Sequence, residues 1–305
     1  MRAFSPSMKV SPDMTESSLL EPGWTERSVP VNGVTMHLVE AGPEDGHPLV
    51  LLHGFPEFWW GWRKQIGVFA GQGFRVIVPD MRGYGQSAGP SGIQGYGIEH
   101  LVGDIAALAN RLGHERFSLV GHDWGGIVAW ATAASYPGRV LRMAVISAPH
   151  LDIFRDVLRS HPSQLLRSAY IGFFQLPFVP EASLSAADFL LLRHSLTATS
   201  KAGTFGAEEL QAYAQEWRRP GRLRAMLHYY RALARHRQPS LSRIVPPTLI
   251  LWGKLDHALL PQLGEASLLQ CAAGRFDCHP SATHWLHLEE PQWVNEKISA
   301  FLAEV

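Results

Sequence analysis

The sequence predicts an α/β fold in which helices flank a mostly parallel sheet and a helical segment is inserted into the chain. From about residue 24, short β-type runs alternate with helical patterns, which is typical of a parallel sheet covered by helices. The alternation stops near residue 150 and resumes at Pro246 after arginine-rich and aromatic helical patterns. We therefore expect a flexible leader at 1–23, a core formed by 24–149 and 241–305, and a helical cap at 150–240.

The individual elements follow from the periodicity of the apolar residues. Strands are predicted where short apolar or β-branched runs end in turn residues, at 35–40, 49–53, 74–78, 117–120, 143–147, 248–252 and 275–278. Apolar residues three and four apart predict an amphipathic helix over 98–112, and further helices are expected at 127–136 and 292–302.

Bulk properties favour an enzyme acting on a small molecule. The chain has 305 residues, of which 46% are hydrophobic, and its 27 basic and 27 acidic residues give no net charge. This balance gives no argument for nucleic acid or an acidic membrane surface as a partner. Cys271 and Cys278 are too few for a disulfide framework, so we expect free buried thiols. No signal peptide or membrane-spanning run is evident, and we expect a cytoplasmic monomer or homodimer.

The segment 121–126 reads GHDWGG and lies between a predicted strand and a predicted helix. In α/β-hydrolases the nucleophile occupies such a turn, flanked by small residues, because bulky neighbours would clash with the strained backbone. Asp123 is therefore the predicted nucleophile of an α/β-hydrolase fold. The alternative is that Asp123 only caps the following helix, since Asp is a favoured N-cap residue.

A carboxylate at the nucleophile position determines which substrates the enzyme can turn over. A serine that attacked an epoxide carbon would leave a stable ether, whereas Asp123 would leave an ester that water can hydrolyse. A carboxyl group with a usual pKa of about 3.9 is already ionised at neutral pH and needs no base for the attack. The base then serves the second step, the activation of water. Epoxides and alkyl halides, which carry an electrophilic sp³ carbon, become the leading substrates.

The acid and the base are expected after the nucleophile, in the chain order of this fold. Asp256 follows the predicted strand 248–252, at the carboxyl end where ligands bind in open α/β sheets. His284 follows the strand 275–278 and is the predicted base, with Asp256 as its partner. His287 is the main rival, and for His287, His122 and His257 the alternative is a neutral histidine that packs or caps.

The ester-hydrolysis step requires backbone N–H donors directed at the oxyanion. One is expected from Trp124, which follows the nucleophile, and the other from Phe55 in the loop after an early strand. The nearby aromatic residues are expected to pack or to line a pocket: Phe58, Trp59, Trp60 and Trp62.

Three motifs together resemble an epoxide hydrolase of the α/β-hydrolase fold superfamily. They are HGFP at 53–56, DMRGYGQS at 80–87 and GHDWGG at 121–126, and the resemblance runs from about residue 24 to the C-terminus. It implies hydrolysis of epoxides to vicinal diols through a covalent alkyl-enzyme ester, with no cofactor and no metal.

The resemblance also implies two tyrosines that hydrogen-bond the epoxide oxygen and protonate it. Tyr170, in AYIGFFQ, is similar to the first, and Tyr230, in HYYR, to the second. Tyr229 remains a competitor for the second position, and either tyrosine could instead belong to the core of the cap.

Two other functions stay open at this stage. Haloalkane dehalogenases use the same nucleophile, acid and base, but they carry a halide-binding donor where this chain has Phe55. Fluoroacetate dehalogenases place arginines after the nucleophile, where this chain has Trp124 and Ile127. A binding protein on a degenerate hydrolase fold would normally have lost part of the triad. We therefore expect a small hydrophobic epoxide as the substrate, recognised by aromatic residues of the cap: Phe154, Phe173, Phe174, Phe178 and Phe189.

Overall fold

The structure, a computed structural model, describes residues 19–236 and 240–304. Most of the predicted leader and positions 237–239 of the predicted cap therefore lie outside the described residues. The eight strands are β1 (Thr25–Val31), β2 (Val34–Ala41), β3 (His47–Leu52), β4 (Phe74–Pro79), β5 (Phe117–His122), β6 (Val140–Ile146), β7 (Thr248–Gly253) and β8 (Gly274–His279).

The strands form one sheet in the order β1-β2-β4-β3-β5-β6-β7-β8. β2 pairs with β1 and β4 in the antiparallel direction, and every other pairing is parallel. The predicted mostly parallel sheet is therefore confirmed. The sequence pattern does not predict β1, because most of this edge strand is exposed and polar and it contains no apolar run.

Twelve α-helices cover the sheet within the described residues. They are α1 (Arg63–Gly71), α2 (Ile98–Arg111), α3 (Trp124–Ser135), α4 (Leu151–Ser160), α5 (Pro162–Arg167), α6 (Ala169–Phe174), α7 (Val179–Thr199), α8 (Ala207–Arg218), α9 (Arg222–Arg235), α10 (Pro261–Ser267), α11 (Leu286–Glu289) and α12 (Pro291–Ala303). Helices α4–α9 lie between β6 and β7 and are called the helical insertion below.

Burial explains the strongest sequence signals. All six residues of β5 are buried, because this central strand has neighbours on both sides and helices on both faces. The apolar stripe of α2 faces the core, as its three- and four-residue spacing predicts. Helix α3 is buried over most of its surface, and its small residues let it pack closely against the sheet.

The helical insertion is fastened over loops at the carboxyl edge of the sheet. The indole of Trp217 donates to the carbonyl of Pro56 at 2.7 Å, and the hydroxyl of Tyr229 donates to the carbonyl of Arg82 at 2.8 Å. These contacts hold α8 and α9 against the loops that follow β3 and β4. The insertion therefore covers the edge where ligands bind in this class of sheet.

Two sequence expectations concern the surface. No helix among the described residues has both the length and the apolar character needed to cross a bilayer. Both cysteines are free and Cys271 is buried, but Cys278 is exposed, which corrects the expectation of two buried thiols. The reason is that Cys278 lies on β8, the last strand at the edge of the sheet.

Candidate active site

Asp123 forms a sharp turn between β5 and α3. Its backbone has φ of 49° and ψ of −118°, a left-handed conformation that is uncommon for residues other than glycine. The flanking positions have no room for a side chain. A Cβ atom at Gly125 would lie 2.1 Å from the carbonyl oxygen of Leu52, and one at Gly121 would lie 2.3 Å from the carbonyl oxygen of Gly125. The predicted small-residue elbow is therefore present.

The side chain of Asp123 does not cap α3, which removes the alternative role considered from the sequence. Its Oδ1 accepts a hydrogen bond from the backbone N–H of Phe55 at 2.8 Å. Its Oδ2 lies 3.7 Å from Nε2 of His284. One carboxylate oxygen is thus held by the loop after β3, and the other faces the imidazole.

His284 and Asp256 lie together on the loops after β8 and β7. Nδ1 of His284 lies 2.9 Å from Oδ2 of Asp256. The other oxygen, Oδ1, accepts the backbone N–H groups of Ala258 at 2.8 Å and Leu259 at 2.9 Å. Asp256 is therefore fixed by its own loop, and it orients the ring so that Nε2 faces Asp123.

The charges in this cluster act on one another because the cluster is buried. Burial lowers the pKa of His284, but the negative charges of Asp256 and Asp123 outweigh it and raise that pKa to about 10. Burial raises the pKa of Asp123, yet the hydrogen bond and charge of His284 and the Phe55 amide hold it below its usual value. The cluster thus favours an ionised Asp123 beside a protonated His284 at neutral pH.

The two predicted tyrosines lie opposite the carboxylate, on α6 and α9. The rings of Tyr170 and Tyr230 are 5.8 Å apart between centroids, and both line the same cavities as Asp123. Burial raises the pKa of both hydroxyls, so both remain protonated donors. The competitor Tyr229 donates to the carbonyl of Arg82 instead.

Two cavities meet at Asp123 and the tyrosine pair. The larger has a volume of about 370 Å³ and the smaller about 40 Å³. Phe173 and Phe174 line the larger cavity and Phe154 the smaller, as expected. Phe178 and Phe189 line neither, which corrects the expectation for them. Phe178 is exposed on the surface, and Phe189 packs against Trp217.

The predicted oxyanion donors lie on either side of the nucleophile. Phe55 already donates to Asp123, and Trp124 is the first residue of α3, where a helix leaves its N–H groups without an internal acceptor. The four neighbouring aromatic residues line neither cavity and pack in the core, where Phe58, Trp59 and Trp62 are fully buried and Trp60 is partly buried.

The comparisons with known proteins agree with this geometry. The family described as alpha/beta hydrolase fold matches residues 47–291. "AB hydrolase superfamily protein YfhM" of Bacillus subtilis is 39% identical over 277 residues, which cover 90% of this chain and 96% of that protein. "Epoxide hydrolase 4" of Homo sapiens is 38% identical over 280 residues, which cover 90% of this chain and 77% of that protein. The chain belongs to the epoxide hydrolases of the α/β-hydrolase fold.

The solved structures extend the agreement to three dimensions. An epoxide hydrolase from Bacillus megaterium, in complex with an inhibitor, superposes on this family member with a TM-score of 0.84. The two chains are 30% identical, and the match covers 91% of this chain and 100% of the other. The matched region therefore includes the helical insertion as well as the core.

This epoxide hydrolase also carries a buried polar cluster that the sequence analysis missed. Oε2 of Glu57 lies 2.9 Å from Nδ1 of His122, and Oε1 lies 3.5 Å from Nε2 of His287. His122 lies on the last position of β5, and its Nε2 lies 3.1 Å from the carbonyl oxygen of His284. Tyr213 donates to Glu57 at 3.2 Å and joins the insertion to the cluster.

The cluster gives the two histidines near the C-terminus different surroundings. His287 lies against Glu57 rather than Asp256, and burial with the nearby charge of His122 lowers its pKa to about 4. Potential ligand atoms of Glu57, His122 and His287 lie within 4.8 Å of one another, the one such group among the described residues. Glu57 hydrogen-bonds His122 directly, whereas His287 lies beside Glu57 without a hydrogen-bond partner among the described residues.

Arg167 is a second residue that the sequence analysis missed. Its guanidinium donates to the carbonyl oxygens of Asp256 at 2.9 Å and His257 at 2.7 Å. Helix α5 of the insertion therefore supports the loop that carries Asp256. Nothing in the local pattern around Arg167 signals this contact, because its partners are about 90 residues away.

Proposed function

We propose that this family member hydrolyses hydrophobic epoxides to vicinal diols through a covalent ester on Asp123. The observation that carries the proposal is the meeting of one carboxylate, the buried Tyr230 and the half-buried Tyr170 in an apolar cavity. The carboxylate supplies a nucleophile for carbon, and the hydroxyls supply donors for the oxygen that leaves it. The roles below are assigned on this basis.

In the first step, Oδ2 of Asp123 attacks one carbon of the epoxide. The ring C–O bond breaks as the new C–O ester bond forms, and Tyr170 and Tyr230 hydrogen-bond the developing alkoxide. A tyrosine proton passes to that oxygen. Burial raises the pKa of both tyrosines, so neither is ionised before the ring opens.

In the second step, His284 activates water. Ester formation neutralises Asp123, which removes one of the two negative charges that raise the pKa of His284. His284 then gives up its proton, which passes through solvent in the cavity to the tyrosinate left by the first step and restores the tyrosine hydroxyl. The neutral imidazole accepts a proton from the water that attacks the ester carbonyl, and Asp256 stabilises the resulting imidazolium.

The oxyanion is supported by a contact that exists before the reaction. Oδ1 of Asp123, which becomes the ester carbonyl oxygen, already accepts the Phe55 N–H. The N–H of Trp124 is the second proposed donor. When the tetrahedral intermediate breaks down, the diol leaves with a proton from His284. The Asp123 carboxyl group, which now carries the remaining water hydrogen, passes that proton to His284 and becomes a carboxylate again.

We further propose that the helical insertion is a cap domain spanning about residues 150–240. Helices α6 and α9 supply Tyr170 and Tyr230, so an open core without the insertion would lack the acid of the first step. The apolar lining of the larger cavity supports a hydrophobic substrate. The absence of a cofactor and the cytoplasmic location stay predictions.

A direct comparison of substrates separates this function from dehalogenation. We expect turnover of a phenyl-substituted epoxide to exceed that of a bromoalkane of similar size by about 10²-fold or more, because paired donors stabilise an alkoxide. Asp123→Asn should abolish both reactions. Bromide release at the higher rate in wild-type protein would favour the dehalogenase instead.

The raised pKa of His284 predicts how stability depends on pH. Between the unfolded value of about 6.5 and the folded value of about 10, the native state holds a proton that the unfolded state has lost. The contribution of His284 to the free energy of unfolding is therefore full at lower pH and is lost as pH rises through this window. Asp123→Asn should lower the pKa of His284 and flatten the dependence, as measured by urea unfolding. If the free energy of unfolding of the variant falls with pH as steeply as that of wild type, the proposed interaction between Asp123 and His284 is contradicted.

A further inference from the structure

The helical insertion carries most of the large apolar side chains that the described residues expose. Of eleven such side chains, seven lie between positions 165 and 191: Leu165, Leu166, Leu176, Phe178, Val179, Leu190 and Leu191. Soluble proteins tolerate single exposed apolar residues, but a concentration in one segment marks an interaction surface. We call Leu176, Phe178 and Val179, in the α6–α7 connection, the apolar tip.

The apolar tip is held outward at a cost in backbone energy. Phe178 is 77% exposed and has φ of 63°, a left-handed conformation that is rare for a bulky residue. The N–H of Val179 donates to the carbonyl of Pro177 at 2.7 Å and closes a tight turn around Phe178. Strain of this kind persists where the surrounding structure fixes it, often at functional sites.

A basic groove lies beside the apolar tip. It has a volume of about 340 Å³, and its lining includes Phe178, Arg224, His228 and Arg235. The stretch 217–236 contains six arginines and no acidic residue. Glu181 also lines the groove and is engaged by Arg231. Arg224 and Arg235 are exposed there, and Arg235 also donates to the carbonyl of Gln175 at 3.3 Å.

His228 forms part of the wall of this groove. Its Nε2 lies 3.1 Å from the carbonyl of Ser91, which ties α9 to the loop before α2. The side chain is buried, so the groups that remain available to a ligand here are the exposed arginines and the apolar tip.

We propose that the apolar tip and the basic groove dock on an anionic phospholipid surface. The tip would enter the boundary between headgroups and acyl chains, and Arg224 and Arg235 would bind lipid phosphates. A second copy of this chain fits less well, because a two-fold interface would bring the same arginines face to face. The net charge of the whole chain is zero and does not reveal this basic surface, because acidic residues elsewhere balance the arginines.

Docking would present the substrate cavity to the bilayer. Phe173, which lines the larger cavity, accepts a backbone hydrogen bond from Leu176 of the apolar tip at 3.1 Å. Leu191 also lines that cavity and is 50% exposed, so the cavity reaches the surface of the insertion at α7. A hydrophobic epoxide dissolved in lipid would then pass to Asp123 without crossing bulk water.

Cosedimentation with vesicles tests the proposal. The full chain is mixed with vesicles of phosphatidylcholine alone, or of phosphatidylcholine and phosphatidylglycerol in equal amounts, without an epoxide, so the outcome is independent of the proposed chemistry. We expect binding to the anionic vesicles only. Phe178→Asn should weaken it about tenfold, because the apolar side chain is lost while Asn tolerates a left-handed backbone.

Matched controls separate the groove from general charge and apolarity. Arg224→Gln combined with Arg235→Gln should weaken binding about fivefold per arginine, whereas Arg159→Gln, an exposed arginine on α4, should not. Leu269→Asn is the apolar control, since Leu269 is as exposed as Phe178. The proposal is overturned if wild type does not bind anionic vesicles, if the controls weaken binding equally, or if Phe178→Asn instead dissociates a dimer in light scattering.

Discussion

Replacement of His284 by glutamine is expected to stop turnover while the ester on Asp123 still forms. Glutamine retains hydrogen-bonding capacity but cannot accept the proton of the attacking water. Loss of a general base typically lowers the rate of its step by about 10²–10⁴-fold. The attack of Asp123 needs no base, since its pKa lies below the usual value and it is ionised at neutral pH. Intact-protein mass spectrometry after addition of the epoxide should therefore show a mass increase equal to that of the substrate.

Two further variants make this result specific. Asp123→Asn should show neither turnover nor the mass increase. His100→Gln alters an exposed histidine on α2, which lines neither cavity at Asp123, and should turn over at close to the wild-type rate. If His284→Gln gains no mass under conditions where wild type consumes substrate, the assignment of His284 to the second step is wrong.

Loss of both tyrosine hydroxyls is expected to abolish ring opening. Removing one donor to a developing oxyanion typically costs about 10²–10³-fold in rate. Tyr170→Phe combined with Tyr230→Phe removes both donors and preserves the aromatic rings that pack against Phe174 and Trp124. The rate of ester formation in a single turnover should fall by about 10⁴-fold or more. Each single variant should retain part of the rate.

Tyr229→Phe is the matched control for this experiment. Its hydroxyl donates to the carbonyl of Arg82 and not to the cavity, so its loss should cost about 1 kcal/mol of stability and leave ring opening intact. Near-normal ester formation in the double variant would remove the tyrosine pair from the mechanism. A large loss of the rate of ester formation in Tyr229→Phe would show that Tyr229, and not Tyr230, is the second proton donor.

The sequence predicts the core of the site well because its signals are local. Gly121 and Gly125 indicate the sharp turn at Asp123, because only small residues fit beside it. Asp256 and His284 each follow a predicted parallel strand. Parallel strands bring the residues after their carboxyl ends to one edge, so residues far apart in sequence meet without any long-range signal. The pairing of Asp256 with His284 follows from this topology.

The remaining features depend on contacts that no local pattern encodes. Glu57, His122 and His287 come from a loop, a strand end and a short helix, and each alone is typical of a buried or capping residue. Phe178 is one of the aromatic cap residues from which a hydrophobic substrate is expected, yet a tight turn places it on the surface. Composition identifies apolar residues but does not say which side of a helical insertion they face.

The covalent ester on Asp123 is the central claim, and oxygen labelling tests it most directly. In a single turnover with excess enzyme in ¹⁸O-water, the oxygen added to the first diol comes from Asp123, and the label enters the Asp123 carboxylate when water attacks the ester. Mass spectrometry should therefore find an unlabelled diol and a labelled peptide containing Asp123. Label in the diol with none in Asp123 would contradict the account.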